Sequence, residues 1–252
     1  MTNDHFHLHF ASLSSTNDFL ESLTQKENLT DGSIVSADYQ TSGRGMIENK
    51  WESDSGKNLL FSLLYLPKEL PVNEQFYLSK AVSLGIFDAL KQILPGSEIN
   101  IKWPNDLYAG GKKIGGILIK NTLKGQNIQQ SIIGIGLNVN QTRFSDAFEA
   151  TSVMIENADS FPVNRALEIV IKCLDERLKS LNINDFNKIN ADYHNQLLGI
   201  GQWMNFRTKE KEFTGKILEV AKDGRLLVET KDGQTALFEV KEIRLVSALP
   251  AL

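Results

Sequence analysis

The chain has 252 residues, of which 41% are hydrophobic and 23% charged, which is ordinary for a soluble globular protein. A formal net charge of -4 gives no overall basic field to attract nucleic acid, and a single cysteine, Cys173, excludes an internal disulfide. The N-terminus lacks the regions of a signal peptide, and no apolar stretch is long enough for a membrane-spanning helix. We expect a cytoplasmic protein without nucleic-acid or membrane partners.

The first predicted element is a strand at residues 5–10, where histidine alternates with phenylalanine or leucine. This alternation places His5, His7 and His9 on one face of the strand. Three imidazoles at that spacing suit a metal ion. A half-buried strand with a polar face fits the same pattern, and we favour it because no Cys, Asp or Glu ligand motif accompanies the histidines.

The next segments alternate between helix and strand. Ser15 predicts the N-cap of a helix over residues 14–26, and Asp18 is expected to complete a capping box. Apolar and β-branched runs predict strands at 32–40, 58–67, 98–103, 114–120 and 129–140. Amphipathic periodicity predicts helices at 73–96, 162–181 and 183–197.

After Gly199 the pattern changes to five short strands, with Lys-Asp-Gly turns at 222–224 and 231–233. Asp-Gly is typical of tight hairpins because its backbone tolerates positive φ. Five short strands in about 50 residues predict a small closed barrel. The expected plan is therefore one α/β domain over residues 1–199 and a small β-barrel domain over residues 200–252.

Two stretches place a cation beside glycines. In YQTSGRGMIENKW (39–51), Arg44 lies between Gly43 and Gly45, so its planar fork is presented where backbone can approach a ligand closely. Taken alone, the stretch also fits a solvated turn, the commoner case. In KWPNDLYAGGKKIGGILIK (102–120), Lys102 ends one strand and faces another that contains Gly115 and Gly116. This arrangement indicates a cation directed at something close to the backbone.

A third stretch, IIGIGLNVN (132–140), carries Gly134 and Gly136 within a strand. Glycines inside a strand often mark the close approach of a ligand or of another backbone. Asn138 and Asn140 share one face at the strand end, where ligands often bind in α/β sheets. A bulge next to a turn is the alternative.

The order and spacing of these three stretches resemble those of the biotin protein ligases, also called biotin–[acetyl-CoA-carboxylase] ligases. The matching blocks are SSTN (14–17), DYQTSGRG…W (38–51), KWPNDLY (102–108), KKIGGILI (112–119) and GIGLNVN (134–140). The resemblance implies an α+β fold like the class II aminoacyl-tRNA synthetase core, a central mixed sheet flanked by helices, with a small C-terminal β-barrel. It also implies that biotin and MgATP form biotinyl-5′-adenylate, and that the biotinyl group then passes to a lysine of a biotin carboxyl carrier protein.

The resemblance also implies roles for the matching residues. Arg44 would bind the biotin carboxylate and then the adenylate phosphate, while Lys102 would bridge the carboxylate and the α-phosphate. Asp106 would orient or deprotonate the incoming amine, unless it is only a turn residue after Pro-Asn. The positions implied for biotin are Ser15, Thr16, Asn17, Gln40, Arg44, Gly45, Lys102, Gly115 and Gly116. Those implied for ATP are Arg44, Gly45, Met46, Trp51, Lys102, Asn105 and Asn138. A core position explains Trp51 nearly as well. Mg²⁺ would arrive with ATP, since the sequence has no metal-ligand motif.

The chain departs from the family pattern at three points. The loop keeps only the first arginine of Gly-Arg-Gly-Arg-Arg-Gly-Arg, because Met46, Ile47 and Asn49 stand at the positions of the other three. Lys120 stands where the family usually has glutamate. Bifunctional relatives carry an N-terminal helix-turn-helix domain, whereas here the catalytic blocks begin within the first 20 residues. We therefore expect the monofunctional form, which binds a carrier domain and no operator.

Two alternatives remain at this point: a lipoate or octanoate ligase of the same fold, and a non-catalytic protein that binds biotin or a carrier. The Lys-Trp-Pro-Asn-Asp block disfavours the first. The Arg44–Lys102 pair disfavours the second, because binding a neutral ureido ring needs neither cation. The sequence leaves the oligomeric state open, including a homodimer.

Overall fold

The computed structural model describes residues 6–46, 50–145 and 149–248. The helices are α1 (Thr16–Thr24), α2 (Phe76–Ile93), α3 (Val153–Asn157), α4 (Val163–Asn182) and α5 (Phe186–Asn195). The strands are β1 (His7–Phe10), β2 (Ile34–Ala37), β3 (Leu59–Tyr65), β4 (Ile99–Lys102), β5 (Asp106–Ala109), β6 (Lys112–Lys124), β7 (Asn127–Leu137), β8 (Trp203–Arg207), β9 (Glu212–Val220), β10 (Leu226–Thr230), β11 (Thr235–Phe238) and β12 (Arg244–Ala248).

The first seven strands form one mixed sheet in the order β1-β2-β3-β7-β6-β5-β4. Only the β1–β2 pair is parallel among the pairings of this described sheet. Strand β3 is buried along its whole length because its alternate residues enter two different cores. Leu63 packs with α2 and α4 on one face, and Leu64 packs with α1 on the other. The predicted mixed sheet flanked by helices is confirmed.

The histidines of β1 contact polar residues in β2 and just after it. The ring nitrogens His7 Nε2 and His9 Nδ1 lie 2.8 and 2.9 Å from Ser36 Oγ, and His9 Nε2 lies 3.3 Å from Asp38 Oδ1. His5 lies outside the described residues. Within the described ranges, no three His, Cys, Asp or Glu side chains are grouped to hold a metal ion. The contacts found are those of a strand with a polar face.

The last five strands form a second, antiparallel sheet in the order β11-β10-β9-β8-β12. The predicted number of strands is confirmed, but over residues 200–248 the edge strands β11 and β12 do not pair with each other. The sheet is therefore open, unlike the closed barrel expected from the sequence. Closure needs a continuous stagger of strands around a ring, and edge strands of four and five residues leave little length for it.

One hydrophobic core joins the two sheets. Met204, Phe206 and Val220 of the second sheet belong to the same buried cluster as Leu78 and Ala81 of α2. A domain boundary between residues 199 and 200 stays a prediction, because apolar contacts continue across it.

A buried lysine lies between α2 and the second sheet. Lys80 Nζ donates hydrogen bonds to Asn190 Oδ1 (2.6 Å) on α5 and to the Val220 carbonyl (2.8 Å) at the end of β9. Three ring centroids surround this nitrogen at 5.2–5.7 Å: those of Phe76, Tyr77 and Tyr193. Although aromatic faces attract a cation, desolvation dominates here, and burial lowers the pKa of Lys80 from 10.5 to about 8.

This lysine should make stability depend on pH in the alkaline range. Between pH 8 and 10.5 the unfolded chain holds a proton at Lys80 that the folded chain has lost, so the free energy of unfolding rises with pH. The Lys80→Met variant lacks this contribution. Between pH 8 and 10.5 we expect the free energy of unfolding of the wild type to rise by up to about 3 kcal/mol relative to that of the variant. Urea unfolding measures both. A difference that stays constant with pH would contradict the depressed pKa.

Candidate functional site

A cavity of about 140 Å³ lies where the start of α1, residues 40–46 and 50–51, and strands β5–β7 meet. Most of the predicted site residues line it: Ser15, Thr16, Asn17, Gln40, Arg44, Gly45, Met46, Trp51, Asn105, Asp106 and Gly116. These residues are far apart in sequence, and the sheet order β7-β6-β5 brings them together. Lys102, Gly115 and Asn138 do not line this cavity.

One wall of the cavity is a connected polar network at the start of α1. Gln40 Oε1 accepts hydrogen bonds from the Thr16 backbone N–H (2.7 Å) and hydroxyl (3.1 Å). Asn17 Nδ2 donates to the Leu118 carbonyl (3.1 Å), which fixes the orientation of this amide. These side chains are held in place before any ligand arrives, and each retains hydrogen-bonding capacity toward the cavity.

The centre of this network is Ser62 on β3, which sequence reasoning missed. Its buried hydroxyl donates to Asn17 Oδ1 (2.5 Å) and also contacts the Thr16 hydroxyl oxygen at 2.7 Å. The signal was present in the sequence, since Ser62 interrupts the otherwise apolar stretch LLFSLLY. A hydroxyl at a fully buried strand position needs a partner, and here the partners are site residues.

Glycines form the floor of the cavity. Gly116 and Gly136 face each other across β6 and β7. A Cβ added to either would lie 3.2 or 2.5 Å from the Trp51 ring, and one added to Gly134 would overlap the Asn17 amide. The glycines therefore allow these two side chains to lie directly on the sheet backbone.

Gly115 faces the opposite side of the sheet. A Cβ there would lie 3.1 Å from the Gly136 carbonyl and 3.3 Å from Leu137 Cδ1. Adjacent strand residues point to opposite faces, so a side chain at Gly115 would face away from one at Gly116. Gly115 permits close packing within the sheet, and the expectation that its backbone contacts biotin stays a prediction.

Trp51 covers the glycine floor. Its Nε1 is buried and has no hydrogen-bond partner among the described residues. An unpaired buried N–H costs about 1–3 kcal/mol. Such a donor indicates a position where a ligand or a rearranged loop supplies an acceptor.

Two ion pairs place charge along the cavity. Arg44 Nη2 lies 3.0 Å from Asp18 Oδ2, and its side chain is 64% exposed. Lys113 Nζ lies 2.6 Å from Asp106 Oδ1 and 5.8 Å from the Trp51 ring centroid. Lys113 was not predicted as a site residue; its signal was the Lys-Lys pair that precedes the Gly-Gly pair.

Helix α1 begins as the sequence predicts, with one difference. Ser15 is the N-cap, and its Oγ accepts from the Asp18 backbone N–H at 3.4 Å. The Asp18 carboxylate, which was expected to complete a capping box, pairs with Arg44 instead. The first turn of α1 is therefore tied to the Gly-Arg-Gly loop.

The remaining predicted residues lie around the cavity. Lys102 Nζ donates to the Tyr108 hydroxyl (2.9 Å) and lines a neighbouring cleft of about 420 Å³ facing the second sheet. Asn138 Nδ2 donates to the Thr151 carbonyl (2.9 Å), so this amide holds the chain before α3. Lys120, which had no predicted role, forms a 2.5 Å ion pair with Glu21 of α1. Ile47 and Asn49 lie outside the described residues.

The fold places a partly polar cavity on a glycine floor beside paired charges, and its size suits a small ligand. Residues 9–138 match the model of the Biotin/lipoate A/B protein ligase family. The match covers just over half of the chain, which therefore belongs to this family.

Individual relatives agree with this assignment. The chain is 31% identical over 210 residues to the bifunctional ligase/repressor BirA of Bacillus spizizenii, covering 82% of this chain and 64% of that protein. It is 26% identical over 218 residues to the biotin–[acetyl-CoA-carboxylase] ligase of Mycobacterium tuberculosis, covering 84% and 79%. The biotin protein ligase of Aquifex aeolicus, solved with biotin and ATP, superposes with a TM-score of 0.78 at 26% identity, covering 96% of this chain and 99% of that one.

No helix within the described part of the chain is long and apolar enough to span a membrane.

The network around Ser62 can be tested with a matched pair of buried serines. We expect Ser62→Ala to lower the free energy of unfolding by about 1–3 kcal/mol, because Asn17 Oδ1 loses its donor while the Thr16 hydroxyl keeps its bond to Gln40. Ser83→Ala should change stability much less, since the buried Ser83 hydroxyl has no partner among the described residues. Chemical denaturation measures both. Equal losses would show that the network does not hold the site.

Proposed function

We propose that this chain is an ATP-dependent ligase that activates biotin as biotinyl-5′-adenylate and transfers the biotinyl group to a lysine of a biotin carboxyl carrier domain. Family membership and the biotin and ATP named for the Aquifex aeolicus structure support the proposal. The single observation that carries it is a preorganised polar network and cationic side chains that line the same cavity.

The polar network suits the ureido ring of biotin. That ring presents one carbonyl acceptor and two N–H donors on a nearly neutral head, and it needs a few directed hydrogen bonds within an otherwise apolar slot. Ser15, Thr16, Asn17 and Gln40 provide hydroxyl and amide groups of both kinds. Ile117 and Leu118 provide apolar lining.

The reacting centre belongs where the two cavities meet. Met46, Asn105 and Asp106 line both the biotin cavity and the neighbouring cleft. Arg44 lines the first cavity and Lys102 lines the neighbouring cleft. A carboxylate that attacks the α-phosphate brings two anions together, so cations on both sides of the junction favour alignment and offset the repulsion.

Arg44 can leave Asp18 at little cost. Exposed ion pairs contribute only about 0–1 kcal/mol, and this arginine is mostly exposed. In the proposed complex its guanidinium exchanges the Asp18 carboxylate for the carboxylate of biotin and then for the adenylate phosphate. The Arg44 guanidinium is therefore held by Asp18 close to the proposed ligand position, and a ligand anion can replace this carboxylate.

Nucleotide binding is proposed around Trp51. Its unpaired Nε1 and its position on the glycine floor support a role beside the nucleotide. Gly45, Met46 and Asn105 would contact the nucleotide directly, with Asn138 reached through the small cleft that it shares with Trp51 and Lys113. The described residues supply no cluster of three metal-ligating side chains, so they do not by themselves form a Mg²⁺ site. We propose that Mg²⁺ is carried by the triphosphate of ATP.

For the second step we propose that Asp106 orients the incoming amine. Its carboxylate lies at the junction of the two cavities, and the 2.6 Å pair with Lys113 fixes its position. The carrier domain is proposed as the macromolecular substrate because the Mycobacterium tuberculosis relative is named for acetyl-CoA carboxylase. We place the reaction in the cytoplasm, where ATP is available, and propose no operator as a partner.

Release of pyrophosphate on mixing with biotin and ATP tests the function. We expect a burst of pyrophosphate with biotin and none with lipoate. The dithiolane ring of lipoate has no carbonyl or N–H groups to hydrogen bond with the polar network. A burst with lipoate alone would assign the chain to the lipoate branch of the family. Tight biotin binding without any burst would identify a non-catalytic binding protein.

The role of Lys102 is tested by Lys102→Met. Loss of one charge-stabilising group at a transition state slows the reaction by about two to three decades, and we expect that loss in pyrophosphate release. Biotin binding should weaken far less. Lys112→Met is the matched control, because Lys112 is exposed at the first position of β6 and lies outside both cavities. Pyrophosphate release by Lys102→Met within tenfold of wild type would refute the assignment.

A further inference from the structure

The segment that carries Lys102 is attached to the second sheet by the residue that follows it. Trp103 Nε1 donates a hydrogen bond to the Gly224 carbonyl at 2.9 Å. Gly224 lies in the turn between β9 and β10, which is closed by a hydrogen bond from its own N–H to the Ala221 carbonyl (3.0 Å). One backbone position of the second sheet therefore contacts the residue beside the proposed catalytic lysine.

The same turn is held from the first part of the chain at two further points. At Val220, Lys80 Nζ donates to the carbonyl (2.8 Å), and the backbone N–H donates to His194 Nε2 (2.7 Å). Beside Gly224, the Phe76 ring of α2 lies so close that an added Cβ would overlap it. The turn cannot shift relative to α2 without breaking several of these contacts together.

A second turn of the same sequence shows which features hairpin formation does not require. Gly224 and Gly233 both follow Lys-Asp, and both have positive φ, +94° and +82°. A Cβ at Gly233 would meet nothing within 4 Å, whereas one at Gly224 would meet Phe76. Both turns form the same kind of hairpin, so the hairpin itself does not require the contacts of Gly224 with Trp103 and Phe76. Those contacts attach the turn to the first part of the chain.

We propose that the 220–224 turn of the C-terminal sheet is a positioning element for adenylate formation, which acts through Trp103 on Lys102. The proposal rests on the proposed function of this site. The turn fixes the indole, and the indole fixes the backbone from which the Lys102 side chain extends along the neighbouring cleft. Trp103 is a positioning residue, since its indole N–H is bonded to protein and not directed at the substrates.

The first test removes only the hydrogen-bond donor. Trp103→Phe keeps an aromatic ring but loses the N–H, and we expect the rate constant for pyrophosphate release to fall about tenfold, as loss of one hydrogen bond predicts. The KM for biotin should change less than about twofold, because the ureido network is untouched. Trp203→Phe is the control, because it makes the same change from indole to phenyl ring. Trp203 lies on β8 next to Lys216 and outside both cavities.

The second test moves the turn. Gly224→Ala and Gly233→Ala impose similar backbone strain at positive φ, but only Gly224→Ala pushes against Phe76. We expect Gly224→Ala to slow pyrophosphate release and to speed hydrogen exchange of the Trp103 indole N–H, followed by NMR. Gly233→Ala should do neither.

The outcomes separate this proposal from the proposed function. If Trp103→Phe and Gly224→Ala release pyrophosphate as fast as their controls while Lys102→Met is slow, the positioning role is overturned and the ligase function stands. A tenfold rise in KM with an unchanged rate constant would also overturn it. If wild type releases no pyrophosphate, the ligase function fails, and with it the role assigned to the turn, even where indole exchange confirms the contact.

Discussion

The site depends on a patch of sheet without side chains. Gly116 and Gly136 are cross-strand partners in β6 and β7, and Gly134 lies two residues further along the same face of β7. Elsewhere these strands carry large aliphatic residues that pack against helices. At the three glycines, Trp51 and Asn17 lie directly on the sheet backbone, and both line the cavity. A single methyl group at Gly136 would overlap the indole, so the shape of the cavity is set by backbone and not by side-chain choice.

The polar wall of the cavity follows from this floor. Asn17 lies over Gly134 because there is no Cβ beneath it, and Ser62 on the adjacent strand β3 then reaches its amide. Three consecutive residues at the start of α1 thus serve both the helix and the site: Ser15 caps the helix while Thr16 and Asn17 turn toward the cavity. The hydrogen bonds that hold these side chains are made within the protein, so little reorganisation is required when a ligand binds.

Much of this arrangement is visible in the sequence, because its causes are local. Alternation and turn chemistry give the strands and helices, and glycines inside strands mark the close approach. The sequence could not say which residue of the Gly115-Gly116 pair faces the cavity. That choice depends on the register of β6 with β7 and on the irregular pairing near Leu107 and Tyr108. The position of Lys102 at Tyr108 was equally hidden, since it arises from the packing of the β4–β5 hairpin.

The second sheet could not be placed from its sequence at all, because its strands show packing residues and no obvious site. Its position is decided by α2, which packs on the mixed sheet with one side and presents Phe76 and Lys80 to the β9–β10 turn with the other. A buried lysine is a costly way to fill this space, and an apolar residue would avoid the desolvation. Lys80, however, donates to one particular carbonyl, that of Val220. An apolar side chain at this position would let the β9–β10 turn shift along α2. The docking therefore gives up some stability for a defined position, and this matters because the far end of the same turn accepts the hydrogen bond from Trp103, next to Lys102.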